Sequence, residues 1–257
     1  MAKTPKSPKK PKKSDKASAT PALPALPMFY NKVEALSASA HGDLKVKENS
    51  NDVSFAREAK SLMLTAVEFS QAARHYPIVF GTSDVGAVPL AVTGYTGSEN
   101  IFIGDDGKWR EGVYLPAYVR RYPFILIENA DDDSVILAID PTSPMISKDE
   151  GKPLFEDGEG TEIAKGIMNL CVSYHREYQK TKILCKQIDD TGILIEQSAE
   201  ATLPDGKKTQ VTGFRVVDEK AFNALSDKEF NKLRKSGALS LIYCHLWSMG
   251  TWKNLFE

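Results

Sequence analysis

The sequence predicts an α+β fold: a mixed or antiparallel sheet with packed helices, preceded by a disordered tail. Three observations carry the prediction. A helix, a Tyr-Pro corner and a strand pair occur in that order twice between Arg74 and Asp140. Short strand-like runs and amphipathic helical stretches are interspersed without a regular βαβ alternation. Residues 1 to 27 combine Lys, Pro, Ser and Ala with almost no large apolar side chain before Leu23, too little to offset the entropy of ordering.

The duplicated unit reads Arg74-His75-Tyr76-Pro77 before Ile78-Val79-Phe80, and Arg120-Arg121-Tyr122-Pro123 before Phe124-Ile125-Leu126. Proline lacks an N–H and disfavours helical backbone in the residue before it. A helix from Thr65 must therefore stop near Tyr76, and one from Pro116 near Tyr122. Ala66, Phe69, Ala73 and Tyr76 share one face of the first helix. Second apolar runs follow, Val88–Val92 and Val135–Ile139, offset by 47 where the Tyr-Pro corners are offset by 46. The alternative is chance similarity between two common helix-to-strand corners.

The 257 residues are 42% hydrophobic and 26% charged, with net charge -1. That sum conceals a division. Residues 1 to 27 hold seven lysines against Asp15, and the body holds 26 basic and 33 acidic residues, a net -7. Such a tail can attract nucleic acid by charge alone, but it has no aromatic residue to stack on a base. No signal peptide or membrane span is legible, so a cytoplasmic location is expected, with surface association through a partner left open. Three unclustered cysteines argue for reduced thiols.

In chain order, Leu44 and Val46 alternate with charged residues as an edge strand does. Residues 49–55 read as a loop. After the first unit closes at Gly94-Tyr95-Thr96-Gly97, Asn100–Ile103 reads as a strand, and Asp105-Asp106-Gly107 as a tight turn into Lys108-Trp109-Arg110.

Several of these stretches resemble the bacterial SapC family: Tyr76–Phe80, Asn100–Phe102 before Gly107-Lys108-Trp109, Leu115–Phe124, Leu154-Phe155, Gly213–Asp218 and Leu239–Met249. The resemblance covers nearly everything after the tail. It implies an association with a bacterial surface-layer locus and supplies no catalytic residues. The lysine-rich tail lies outside the family pattern.

Beyond Asp140, residues 141–160 form a polar connection and the best internal boundary in the 28–257 domain. Thr161–Lys180 carries Ile163, Ile167, Leu170, Cys171 and Tyr174 at helical spacing. A strand from Ile193 to Leu203 turns at Asp205-Gly206 and returns over Thr209–Val217. Ser226-Asp227-Lys228-Glu229 spells a capping box, Gly237 stops that helix, and Ala238–Met249 forms a last, mostly buried helix.

No catalytic, metal or cofactor site is expected. His175-Arg176-Glu177 spells an iron motif, but residues two apart on a helix diverge. Asn129, Asp131, Asp133 and Asp140 match calcium-loop spacing with Ser134 where glycine is required. Gly94–Gly97 lacks the lysine and helix of a phosphate loop. His245, beside Cys244 and Trp247, reads as a core histidine. A dense aromatic and arginine patch remains: Trp109, Tyr114, Tyr118, Arg120, Arg121 and Tyr122, with Asn100 nearby. Such residues favour an acidic ligand or a protein partner. The alternative is that Tyr118 and Tyr122 are core and the arginines extend from the helix to solvent. Three functions follow: a non-catalytic binding or assembly protein, an enzyme or small-molecule binder with a concave pocket near Asn100, Trp109, Arg120 and Arg121, or tail-mediated nucleic-acid association.

Overall fold

A computed structural model describes residues 26–47, 51–84, 86–128, 134–203 and 205–256. Its first half runs β1 (Glu34–Ala35), α1 (Ala38–His41), β2 (Lys45–Val46), β3 (Ser61–Met63), α2 (Phe69–Ala72), β4 (Ile78–Ser83), β5 (Gly86–Val92) and α3 (Ala117–Arg120). A second hairpin, β6 (Phe124–Glu128) and β7 (Val135–Ile139), is followed by four two-residue strands: β8 (Ile146–Ser147), β9 (Lys152–Pro153), β10 (Phe155–Glu156) and β11 (Glu159–Gly160). Then come α4 (Glu162–Asp189), β12 (Leu194–Thr202), β13 (Lys208–Val217), α5 (Glu219–Asn223), α6 (Asp227–Ser236) and α7 (Ala238–Ser248), with a final 3-10 segment at Met249–Leu255. Among the described residues every strand pairing is antiparallel, in an α+β arrangement.

Both Tyr-Pro units form. The first hairpin lies in a five-stranded sheet of order β12-β13-β4-β5-β3, the second in a three-stranded sheet of order β1-β7-β6. Ile78 pairs with Ala91 and Phe124 with Ile139. The N–H of Val92 donates to Pro77 O and that of Asp140 to Pro123 O, both at 2.9 Å. First-strand equivalents are thus 46 residues apart (Ile78, Phe124) and second-strand equivalents 48 apart (Ala91, Ile139). Ala87–Ala91, not Val88–Val92, corresponds to Val135–Ile139, because the second unit gains two residues between its strands. Side chains alternate across a sheet, so a one-residue misalignment exchanges inward and outward positions. The Tyr122–Pro123 bond is cis.

The helix leading into the first corner is shorter than its spacing predicts. Residues 66–68 are a 3-10 turn and only Phe69–Ala72 is α-helical, yet Phe69, Ala72 and Tyr76 are buried. The longest helix, α4, continues nine residues past Lys180, since Thr181, Cys185 and Ile188 extend its buried stripe. At 28 residues it is roughly 42 Å long, long enough to serve both hairpins. Ala164 and Cys171 pack with Phe124, Leu137 and Ile139, while Cys185 and Ile188 join the main core around β4 and β5. Burying such side chains stabilises by about 1.5–3 kcal/mol for each large one.

Two further corrections concern strands. Asn100–Ile103 is a turn with one isolated bridge, Ile103 to Trp109, because the Asn100 side chain takes the Phe102 N–H that a ladder would use. Lys45–Val46 is central, not an edge, in a sheet of order β8-β2-β9. Residues from 141–160 supply its neighbours, and Leu154 is fully buried. Ser226 and Glu229 form the capping box of α6, and Gly237 ends that helix at φ 92°, a conformation open to glycine at no steric cost. In α7, Ala238, Leu241, Ile242, His245 and Ser248 face inward, while Trp247 is 74% exposed.

Candidate functional site

The candidate site begins with a local turn. Gly107, at φ 76°, donates its N–H to Gly104 O, and its own carbonyl accepts from Val53 N at 2.8 Å. That turn places Lys108 beside Asp52 and swings Trp109 inward onto Phe102, the rings stacked with centroids 6.1 Å apart. On the facing side, Leu115 and Pro116 lead into α3. Pro116 offers no side chain to cap that helix. The Glu68 carboxylate does so from the first unit, with Oε1 accepting from Ala117 N at 2.7 Å.

Between these two walls lies a cleft of about 560 Å³ lined by Asp52, Phe55, Trp109, Leu115, Arg120 and Tyr122 among others. Its floor is aromatic: Phe55 and Tyr122 have centroids 4.2 Å apart. The Trp109 indole N–H is buried without a hydrogen bond of normal geometry. It faces the Tyr76 hydroxyl, whose pKa is raised by burial, with the indole opposing. Arg120 stands at the rim. Its Nε donates to Leu115 O at 3.1 Å, Nη2 to the Tyr114 hydroxyl at 3.2 Å, and the guanidinium lies 5.8 Å from the Tyr114 ring centre.

Behind Arg120 the network continues inward. The Tyr114 hydroxyl donates to Glu68 Oε1 at 3.0 Å, and Glu68 Oε2 accepts from Thr65 N and Oγ1 at 2.7 and 2.8 Å. Burial, with the Glu68 charge second, pushes the Tyr114 phenol up to about 12, so it stays a donor at neutral pH. Fixed partners pre-order the Arg120 side chain, which lowers the entropy lost when it meets a ligand. Among the described residues no carboxylate forms an ion pair with Arg120.

The residues singled out in the sequence do not all converge. Trp109, Arg120 and Tyr122 line the cleft. Asn100 is 1% exposed and serves its own turn, its amide donating to Ala56 O at 3.4 Å and its oxygen accepting from Phe102 N at 3.1 Å. Tyr118 and Arg121 point to α4. The Arg121 guanidinium lies 4.5 Å from the ring centres of both Tyr118 and Tyr174, is nearly buried, and leaves Nε without a partner. Adjacent helical residues lie about 100° apart, which is why the paired arginines serve different surfaces.

Glu68, Phe55 and Asp52 were not singled out. Thr65-x-x-Glu68 has the spelling of a capping box and could have flagged Glu68. Nothing local marks Phe55 or Asp52.

Elsewhere, His245 is a buried core histidine: Nδ1 lies 2.6 Å from Ile78 O, and Nε2 accepts from Val217 N at 3.1 Å. His175 and Glu177 lie within α4. Asn129, Asp131 and Asp133 fall outside the described residues, and Asp140 accepts from Asn31 N, Thr142 N and Thr142 Oγ1. Among the described residues no cluster of three His, Cys, Asp or Glu side chains is placed to hold a metal ion, and no helix is long and apolar enough to cross a membrane. The basic tail, apart from Leu26 and Pro27, also lies outside them.

Compared with known proteins, residues 36–255 match the model of the SapC family. No curated protein and no solved structure matches the chain.

Proposed function

This chain belongs to the SapC family, and we propose that it is a non-catalytic binding and assembly protein of the bacterial surface layer or envelope, working from the cytoplasm and taking an acidic protein partner at the Trp109–Arg120–Tyr122 cleft. One observation carries the reading. A guanidinium that has no carboxylate partner among the described residues is held in fixed geometry over an aromatic-floored cleft. Arginine forks bind carboxylates bidentately, and aromatic rings provide contact area at low entropic cost.

A second reading has support of its own. A cleft of about 560 Å³ is also of the size that holds small molecules. An enzyme or small-molecule binder using the same residues is the alternative.

Capture experiments from the source cell separate the two. The full chain and its Arg120→Ala variant are compared for retained proteins and retained small molecules. A stoichiometric protein held by the first and lost by the second supports assembly. A small molecule with that same dependence favours the alternative. If whatever is retained is indifferent to Arg120, neither reading of the cleft stands.

A further inference from the structure

A second cleft, of about 620 Å³, opens where three distant parts of the chain meet. His75 and the segment from Tyr95 to Val113 form one wall, the tip of the β12–β13 hairpin with Leu203 and Asp205 a second, and the C-terminal residues Asn254, Leu255 and Phe256 the third. The start of β13 is bonded to the loop after β5: Thr96 N donates to Gln210 O at 3.0 Å, and Thr209 Oγ1 to Thr96 O at 2.9 Å. The C-terminal wall is stiffened by stacked rings, Trp252 on Phe256 at 6.3 Å, with Tyr95 5.6 Å from Phe256.

The polar groups in this cleft are underused. Arg110 lies 5.5 Å over the Phe102 ring and, among the described residues, donates one hydrogen bond, from Nη2 to Ile101 O at 3.2 Å. A guanidinium carries five N–H groups. The carboxylate lining the cleft, Asp205, is engaged by its own turn, accepting from Lys207 N at 3.0 Å and pairing with Lys207 Nζ at 2.9 Å. Among the described residues it forms no ion pair with Arg110. Among the described residues, the Tyr95 hydroxyl, the Asn254 amide and the His75 ring nitrogens have no intramolecular hydrogen bond, and all three residues line this cleft. Burial, and then the Arg74 charge, keep His75 below its ordinary value and neutral at pH 7, so it can accept or donate.

We infer that this cleft is a binding site for a small anionic molecule with a flat apolar body. A carboxylate or phosphate meets Arg110, the ring lies against Phe256 and Tyr95, and Asn254 and His75 fix its orientation. The site is separate from the Arg120 cleft and stands or falls independently of the proposed partner.

The test uses the full chain and anilinonaphthalene sulfonate, whose sulfonate and fused rings match both features and whose fluorescence reports binding. Saturable one-site binding is expected, weakened tenfold or more in Arg110→Gln, as loss of a charge-assisted contact requires. A control at an exposed lysine, Lys232→Gln, should stay within twofold of the unaltered chain. Displacement by benzoate identifies the carboxylate class and displacement by inorganic phosphate the phosphate class. The inference is overturned by absence of saturable binding, by an Arg110→Gln affinity within twofold of the original, or by a loss seen in Arg120→Gln instead. Should Arg110→Gln not fold, Asn254→Leu carries the test, with at least a threefold loss expected and an unchanged affinity fatal.

Discussion

The N–H of Ala117 donates a 2.7 Å hydrogen bond to Glu68 Oε1, joining the start of the second Tyr-Pro unit to the first. The same carboxylate closes the capping box at Thr65 and receives the Tyr114 hydroxyl. At 3% exposure it is satisfied by four donors, and each of them loses its acceptor if the carboxylate is removed. One side chain therefore fixes both the relation of the two units and the posture of Arg120.

Replacing Glu68 by Ala is expected to cost about 3 kcal/mol or more, since each buried donor left without an acceptor costs about 1–3 kcal/mol. Tyr114→Phe removes only one of those bonds and should cost about 1 kcal/mol. Urea unfolding of the three proteins checks the ratio. Equal costs would show that the carboxylate is not the shared node.

The two neighbouring arginines should separate cleanly. Arg121→Met removes a guanidinium that contacts the rings of both Tyr118 and Tyr174 and is expected to destabilise by about 1–2 kcal/mol, with partner capture unchanged. Arg120→Ala, at the exposed rim, should stay within about 0.5 kcal/mol of the original stability while capture is lost. Thermal melts run beside the capture experiment report both quantities, and the reverse pattern would relocate the site to α4.

Stability should fall in mild acid because of His245. Burial depresses its pKa from 6.5 to about 4, with the bond to Ile78 O opposing. The unfolded chain takes up a proton near 6.5 while the folded chain resists until about 4. Between those values the unfolded state binds more protons, so a contribution fully present above pH 6.5 is lost as pH drops. The loss amounts to roughly 3 kcal/mol at pH 4. A His245→Gln variant lacks this term, so urea unfolding at pH 7 and pH 4 should show the unaltered chain losing that much more than the variant.

Gly107→Ala should disturb the cleft wall. Its φ of 76° suits glycine, and an added Cβ would meet Ser54 Oγ and lie 2.7 Å from Asp52 Oδ1, which already caps Ser54 N. A cost of about 1–2 kcal/mol is expected from the left-handed backbone alone. Trp109 fluorescence, read beside the melt, should shift as its turn moves; an unchanged spectrum and melt would show that the turn is not constrained.

Much of the fold was legible because its signals are local. Tyr76-Pro77 and Tyr122-Pro123 stop helices by backbone chemistry that needs no partner, and Thr161, Ser226 and Gly237 mark helix ends through their own side chains or lack of one. Misreadings came where a distant group competed. Asn100–Ile103 spells a strand, but the Asn100 side chain and the Arg57 carbonyl take up its hydrogen bonds. Val88–Val92 looks like the partner of Val135–Ile139, and only the cross-strand register shows a 48-residue equivalence.

The sequence by itself determined the two corners, the α+β class, the caps and an aromatic and arginine patch worth attention, since each depends on residues a few positions apart. Tertiary structure alone decided that Arg120 faces a cleft and Arg121 the rings of Tyr118 and Tyr174, that Asn100 holds a turn, and that Glu68 ties the units together. These depend on which face of a short helix meets α4 and on contacts spanning tens of residues, and in such cases packing settles the direction of a side chain that local spacing leaves open.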